Sequence, residues 1–358
     1  MRRFHFIVAA IIALATVGVA VGPADAFFKR DRAKRDFRHM DNNGDDRISR
    51  TEWNRRGNFK RLDANNDDSL SLDEVRALYH GQNERDYSWP PDGMPAPDTA
   101  IDPSVASDRV ETSKLDRDVL CAISRDRGCS MDIAVARGLA ETGTGPVFPA
   151  GAVCPGIDDY WAMNYSFKRN RTSYHGGIDL PVPWGTPVRA VAAGSVVAIY
   201  PADNSKRGNE LVLRHAPEDT GLEIWTYSAY GHLDRQPDFE IGQRVKMGQI
   251  LGPTGNSGIS ARGRRGGAQS SNRRPAIHLA TFFSAERTFS EYNNVVIPAD
   301  GYWLDPMAMF RQTPPFDTPS VIALPDAEKG VAVPVMFDDG TTHPASTKLV
   351  WPYTCRRE

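Results

Sequence analysis

Three histidines and one aspartate in the second half of the chain carry side chains that can meet on one metal ion. His175 and Asp179 lie in His175-Gly-Gly-Ile-Asp179, His232 in Tyr230-Gly-His232-Leu, and His278 in Pro275-Ala-Ile-His278-Leu. Gly176-Gly177 and the nearby Pro181 argue against a helix over the first segment. In an extended segment positions i and i+4 share a face, so the spacing predicts His175 and Asp179 side by side. Two imidazoles and a carboxylate with an open fourth position are the donor set of catalytic zinc. A lone histidine is more often structural than ligating; it is the order of the segments that gives them weight.

That order resembles the lysostaphin-like family of zinc peptidoglycan endopeptidases, from about Phe167 to Pro306. His175-Gly-Gly-Ile-Asp179-Leu, followed by Gly185-Thr-Pro-Val-Arg-Ala190 and Gly194-Ser-Val, resembles the first metal motif and the strands behind it. Tyr230-Gly-His232-Leu resembles the catalytic histidine segment. Gly242-Gln-Arg-Val-Lys-Met-Gly248-Gln-Ile-Leu-Gly252 and Thr254-Gly-Asn-Ser-Gly258 resemble the glycine-rich hairpin, and Trp303-Leu-Asp305-Pro306 the exit. The resemblance implies one Zn2+ held by His175, Asp179 and His278, with His232 catalytic. The family's last motif is HxH, its first His catalytic; here Ala276 stands at that place. Sliding the alignment by two residues makes His278 catalytic and Ala280 a missing ligand, so the register that keeps all three ligands is preferred. Zinc lowers the pKa of a bound water toward ~7, and His232 accepts its proton or bonds the oxyanion. Absence of one imidazole costs a factor of ~10²–10³ if nothing replaces it. The expected function is an exported zinc metalloendopeptidase that cuts peptide cross-links of peptidoglycan. The alternative is a zinc-retaining, non-hydrolytic peptidoglycan-binding protein or a regulator of another wall hydrolase.

A second metal signal comes earlier. DNNGDDRISRTE from Asp41 and DANNDDSLSLDE from Asp63 repeat one pattern. Calcium requires six to eight oxygens on a wrapping loop. Asp41, Asn43, Asp45, the Arg47 carbonyl, Ser49 and Glu52 supply them in the first loop; Asp63, Asn65, Asp67, the Ser69 carbonyl, Ser71 and Glu74 do so in the second. This resembles a pair of EF-hands over residues 28–80 and implies up to two Ca2+. The sixth loop position, usually Gly, is Asp46 and Asp68, and Asp tolerates positive φ better than most residues. Ile48 and Leu70 are placed to pair between the loops. A third reading makes calcium sensing primary and the zinc domain its effector.

These groups need elements to hold them. Short β-type runs at 188–191, 195–200, 210–214, 222–230 and 244–251, separated by Gly and Pro, predict an antiparallel sheet, sandwich or barrel. Together with the two resemblances, this makes the expected fold class multidomain: a small all-α EF-hand pair plus a mainly antiparallel β, lysostaphin-like zinc peptidase domain. The expected boundaries are a signal peptide at 1–26, the EF-hand pair at 27–82, a Pro-rich linker at 83–108 and a short helical segment without chemistry at 109–150. The peptidase domain follows at 151–311, and a C-terminal extension at 312–358 with a hairpin of 331–337 and 348–351. Arg2 and Arg3, the uncharged run 6–21 and Ala24-Asp25-Ala26 read as a cleaved secretory signal. Export to the periplasm or cell exterior is expected, with no stable membrane anchor afterwards.

An oxidising compartment makes the cysteines meaningful. Cys121, Cys129, Cys154 and Cys355 allow three pairings among which sequence does not choose; the preferred expectation is Cys121–Cys129 and Cys154–Cys355. Between Gly258 and Pro275, Arg262, Arg264, Arg265, Arg273 and Arg274 form a basic insertion. It reads either as a loop gripping carboxylates of peptidoglycan peptide stems or as a solvated loop. With 43 Lys+Arg against 45 Asp+Glu the net charge is -2, which excludes a general polycation that grips nucleic acid.

Overall fold

The structure is a computed structural model. It describes residues 31–53, 59, 63, 67–72, 74–75, 87–91, 93–95, 97–126, 128–157, 175–202, 205, 207–258 and 275–358. The segment read as a signal peptide, Asn65 and the five arginines of the basic insertion lie outside the described residues. The chain divides into two compact units, residues 1–79 and 80–358.

In the first unit the helix Asp31–Met40 leads into the loop 41–52. Strands β1 (Ile48–Ser49) and β2 (Ser69–Leu70) pair antiparallel, with Ile48 opposite Leu70. Those two side chains are fully buried among Phe37, Met40, Phe59 and Val75. Asp46 and Asp68 adopt φ of 59° and 57°. The Asp41 carboxylate accepts the amides of Gly44 and Asp46, at 2.8 and 3.1 Å. Glu52 reaches back to the Asn42 amide at 3.0 Å and accepts the Ser49 hydroxyl at 2.7 Å. In the second loop Asp63 accepts the amides of Asp67 and Asp68, each at 3.0 Å, and Glu74 the Ser71 hydroxyl at 2.7 Å. Arg47 joins the loops through the Asp67 carboxylate at 2.6 Å.

The second unit is mainly antiparallel β with few helices. Its strands are β3 (Gly145–Val147), β4 (Ala152–Val153), β5 (Ile178–Pro181), β6 (Pro187–Arg189), β7 (Gly194–Tyr200), β8 (Asn209–His215), β9 (Trp225–Leu233), β10 (Arg244–Val245), β11 (Ile250–Pro253) and β12 (Ala276–Ser284). They continue with β13 (Phe289–Tyr292), β14 (Val295–Pro298), β15 (Tyr302–Leu304), β16 (Gly330–Ala332), β17 (Val335–Met336), β18 (Thr342–His343) and β19 (Arg356–Arg357). The main sheet runs β10-β7-β8-β9-β12-β15, and β5 pairs with the first half of β12 on the edge whose second half β15 occupies. Strands β7, β8, β9 and β12 are buried almost along their whole length. Continuous runs such as Gly194-Ser-Val-Val-Ala-Ile-Tyr200 suit a sheet covered on both faces better than strict alternation would.

Several sequence expectations need correction. The 244–251 run is two strands, because Gly248 at φ 74° turns the chain between β10 and β11. The stretch read as a linker is packed over its second half. Arg244 donates to the Ala100 carbonyl at 2.8 Å, Asp102 to the Gly242 carbonyl at 2.7 Å, and Ser104–Asp108 is helical. The helix Arg117–Ser124, capped by Asp116 and tied by the Cys121–Cys129 disulfide, buries Ala122 and packs Val119 and Ile123 into the same core. In the C-terminal extension β17 and β18 form the hairpin around 338–340; residues 348–351 are not a strand in it but bond elsewhere, with the Val350 amide on the Val191 carbonyl at 2.8 Å. The extension is fastened by β19 on β4 and by the Cys154–Cys355 disulfide.

Candidate metal centre

β12 is the strand on which the centre is built. His278 pairs with Asp179 of β5 on one side and Gly231 of β9 on the other, so three strands meet at one row. His175 precedes β5 and is not part of an extended run with Asp179. Gly176 at φ 76° and Gly177 at φ 154° turn the chain between them, which corrects the extended i, i+4 reading. The turn folds His175 back, so its Nε2 lies 3.2 Å from Asp179 Oδ1, and His278 Nδ1 lies 2.9 Å from the same oxygen. A Cβ on Gly177 would stand 2.6 Å from Cε1 and Nε2 of His278, so only glycine leaves room for that ring.

Among the described residues this is the one group of three His, Cys, Asp or Glu side chains whose ligand atoms all lie within 4.8 Å of one another. All three are buried. Donors of a tetrahedral zinc lie about 3.4 Å apart, so the spacing and the nitrogen–nitrogen–oxygen set fit that ion. Burial first, then the neighbouring His175 and Arg207, push His278 down to about 3 against the opposing pull of Asp179. It is therefore held neutral, the form in which an imidazole ligates.

His232 is buried beside the triad, its ring centroid 5.8 Å from that of His278. It adopts φ 65° where β9 leaves its pairing with β12. A non-glycine residue held there stores of the order of 1–3 kcal/mol, a cost that clusters at functional sites. Its amide donates to the Arg207 carbonyl at 2.5 Å. Its Nδ1 donates to the Ser257 carbonyl at 2.8 Å, which assigns the tautomer whose Nε2 is the acceptor. The ring is thus arranged as a base. Ala276 lies on the same face as His278, two residues earlier.

Three other residues support the triad, and none of them stands out in the sequence. Arg125, at the end of the helix Arg117–Ser124, donates to the His175 carbonyl at 3.1 Å while lying over Trp303. Tyr353 of the C-terminal extension donates to the Leu180 carbonyl at 3.2 Å and accepts the Ile277 amide at 3.4 Å. These are the immediate neighbours of Asp179 and His278. Arg207 carries the carbonyl that fixes His232. Only a pattern across strands brings these residues together, and no local motif marks them. His215, without a role in the sequence, is buried between the Ala193 carbonyl and the Ser228 hydroxyl at 2.6 and 2.7 Å.

Residues 173–278 match the family model of Peptidase family M23. This segment is a lysostaphin-like M23 peptidase domain. Glycyl-glycine endopeptidase ALE-1 of Staphylococcus capitis is 37% identical over 86 residues, which cover 24% of this chain and 22% of that protein. The chain thus spans about a fifth of the length of that relative. Among solved structures, an alanine-to-histidine mutant of the catalytic domain of the prophage-encoded M23 protein EnpA from Enterococcus faecalis is 26% identical. That match covers 38% of this chain and 85% of that one, with a TM-score of 0.27. The catalytic domain of lysostaphin from Staphylococcus simulans is 24% identical over 39% of this chain and 85% of that one, with a TM-score of 0.27. All four residues of the centre fall within the M23 match. Among the described residues no helix is long and apolar enough to cross a membrane.

Proposed function

We propose that the chain is an exported zinc metalloendopeptidase that hydrolyses peptide cross-links of peptidoglycan. The observation that carries this reading is the convergence of His175 and His278 on one oxygen of Asp179, with His232 beside them. His175, Asp179 and His278 would hold the ion, which when bound supplies Lewis acidity and a water acidified toward ~7. His232 Nε2 takes the proton of the attacking water, and the Ser257 carbonyl on Nδ1 stabilises the resulting imidazolium. Gly177 keeps the His278 ring in place by offering no side chain against it. The sheet and the buried face around His278 exclude bulk water, which strengthens each charged contact.

Digestion of purified peptidoglycan with and without zinc tests the reading, with His278→Ala as control. Zinc-dependent release of muropeptides that the variant loses supports it; no release in zinc-replete buffer sinks it. Ala276 favours a second reading, a zinc-holding protein that binds peptidoglycan without cutting it. Retained wall binding in the absence of release selects that one.

We further propose that the loops 41–52 and 63–74 bind Ca2+, up to two ions. Positive φ at both sixth positions and the Ile48–Leu70 pairing between loops support this. Calorimetric titration with Ca2+ tests it, with Glu52→Gln and Glu74→Gln expected to weaken binding at least tenfold. A full-length chain that takes up no Ca2+ removes the proposal.

A further inference from the structure

Beside the metal triad the same sheet row continues into a buried ion pair that the proposed reaction does not use. The row runs from Asp179 to His278 to Gly231. On the next strand Asn209 faces Leu233 and Leu211 faces Tyr230, so Glu210 stands alone against Gly231 and His232 in a bulge. Bulges recur beside active sites because they re-aim side chains. Gly231 leaves the row empty at its centre, and Arg207 fills the gap. A Cβ on Gly231 would lie 3.1 Å from Arg207 Cβ and 3.5 Å from His278 Cβ.

Among the described residues the guanidinium is anchored on one edge. Nε pairs with Glu210 Oε2 at 3.0 Å, and Nη2 donates to the Asn294 carbonyl at 3.2 Å, at the β13–β14 turn. Nη1 makes no hydrogen bond among the described residues. The Arg207 side chain keeps 17% of its surface exposed, whereas that of Glu210 keeps 0%. Burial pushes the Glu210 carboxyl up and Arg207 opposes this. A buried carboxylate whose partner is a single arginine is a costly way to add stability. It does fix the plane and direction of a guanidinium, the group best shaped to take a carboxylate on its free edge. Arg125, on the His175 carbonyl, adds a second cation at the centre, and Asp126, bonded to Tyr292 and Asn293, is the acidic group of that flank. Neighbouring strands lie about 4.8 Å apart, so Arg207 stands about one strand to the side of the ligand row. That offset suits a carboxylate one residue away from the bond being cut.

We infer that Arg207, held by Glu210 over Gly231, grips a free carboxylate of the bound peptide and makes the site selective for acidic over amidated peptides. The inference rests on the metallopeptidase reading and names a substrate feature for it. It is a different element from the basic insertion.

The test uses the zinc-loaded full chain and one synthetic cross-linked stem peptide in two forms, carboxyls free or amidated. Binding is measured by calorimetry and cleavage by chromatography, with metal content and thermal melting recorded for each variant. Wild type should bind the acid form about tenfold more tightly, the scale of one charge-assisted pair. Arg207→Gln alone strands a buried carboxylate, so the main variant is the neutral pair Arg207→Gln with Glu210→Gln. It should bring the acid–amide ratio close to one while metal content stays; Arg207→Lys should keep part of the preference. A wild-type ratio near one, or a preference that survives in the neutral pair, overturns the inference. Cleavage without acid preference sinks the inference and leaves the hydrolase. Acid preference that depends on Arg207 without cleavage does the reverse.

Discussion

Ala276 and His278 occupy the same face of β12, two residues apart, both at most 5% exposed. The strand thus presents a methyl group where its register could present a second imidazole beside the row of Asp179 and His278. Ala276→His should raise turnover of a cross-linked peptide by ~10²–10³, the worth of one well-placed oxyanion donor. Steady-state kcat on one substrate with matched zinc content checks this. An unchanged kcat in a folded, zinc-loaded variant means that another group already fills the role.

Two buried titrating groups give stability opposing pH slopes. Burial pushes Asp305 up from 3.8 to about 6, although Thr142, Thr144 and the Met307 amide bond to it. Its contribution is complete below about pH 4 and is lost as pH rises through about 6. Burial pushes His215 down from 6.5 to about 4, so its contribution is complete above pH 6.5 and is lost as pH falls through 4. Each amounts to about 3 kcal/mol. Asp305→Asn should therefore gain stability over wild type at pH 7.5 and lose that gain by pH 4.5. Urea melts at both values decide; a difference that does not change with pH rules out the buried carboxyl as its source.

The two disulfides should differ in worth. Cys154–Cys355 closes a separation of 201 residues and Cys121–Cys129 one of 8. Chain entropy assigns about 5 kcal/mol to the first and about 2–3 kcal/mol to the second. Paired Cys→Ser variants compared by chemical denaturation should show that ranking, and the reverse order would mean that strain or residual unfolded structure dominates.

Asp46 holds φ 59° at the turn of its loop. Left-handed backbone costs a non-glycine residue about 1 kcal/mol, so Asp46→Gly should tighten Ca2+ binding about fivefold. Calorimetry on the full chain checks it. Weaker binding in the variant would show that the Asp46 carboxylate contributes more charge than its backbone costs.

The parts of the centre that could be read in the sequence are those written locally. His175, Asp179, His232 and His278 each sit in a short segment with its own glycines and apolar neighbours, and segment order did the rest. The β7, β8 and β9 runs were legible because a doubly covered sheet demands unbroken apolar stretches. The turn between His175 and Asp179 is hidden from the sequence because alternation describes a strand, whereas two glycines with positive φ undo it. Arg125, Arg207 and Tyr353 were out of reach for a different cause. Arg125 stands 50 residues from the carbonyl it bonds and Tyr353 stands 173 from its own, so only sheet register and packing bring them in.

Tyr353 has a consequence in time. The candidate ligands span residues 175–278, yet the hydroxyl that bridges their neighbouring backbones lies 75 residues after the last of them. Because a ribosome delivers the chain from its N-terminus, the strands of the centre are made well before they receive that brace. The nascent protein therefore carries its donors before it carries the group that braces their backbones.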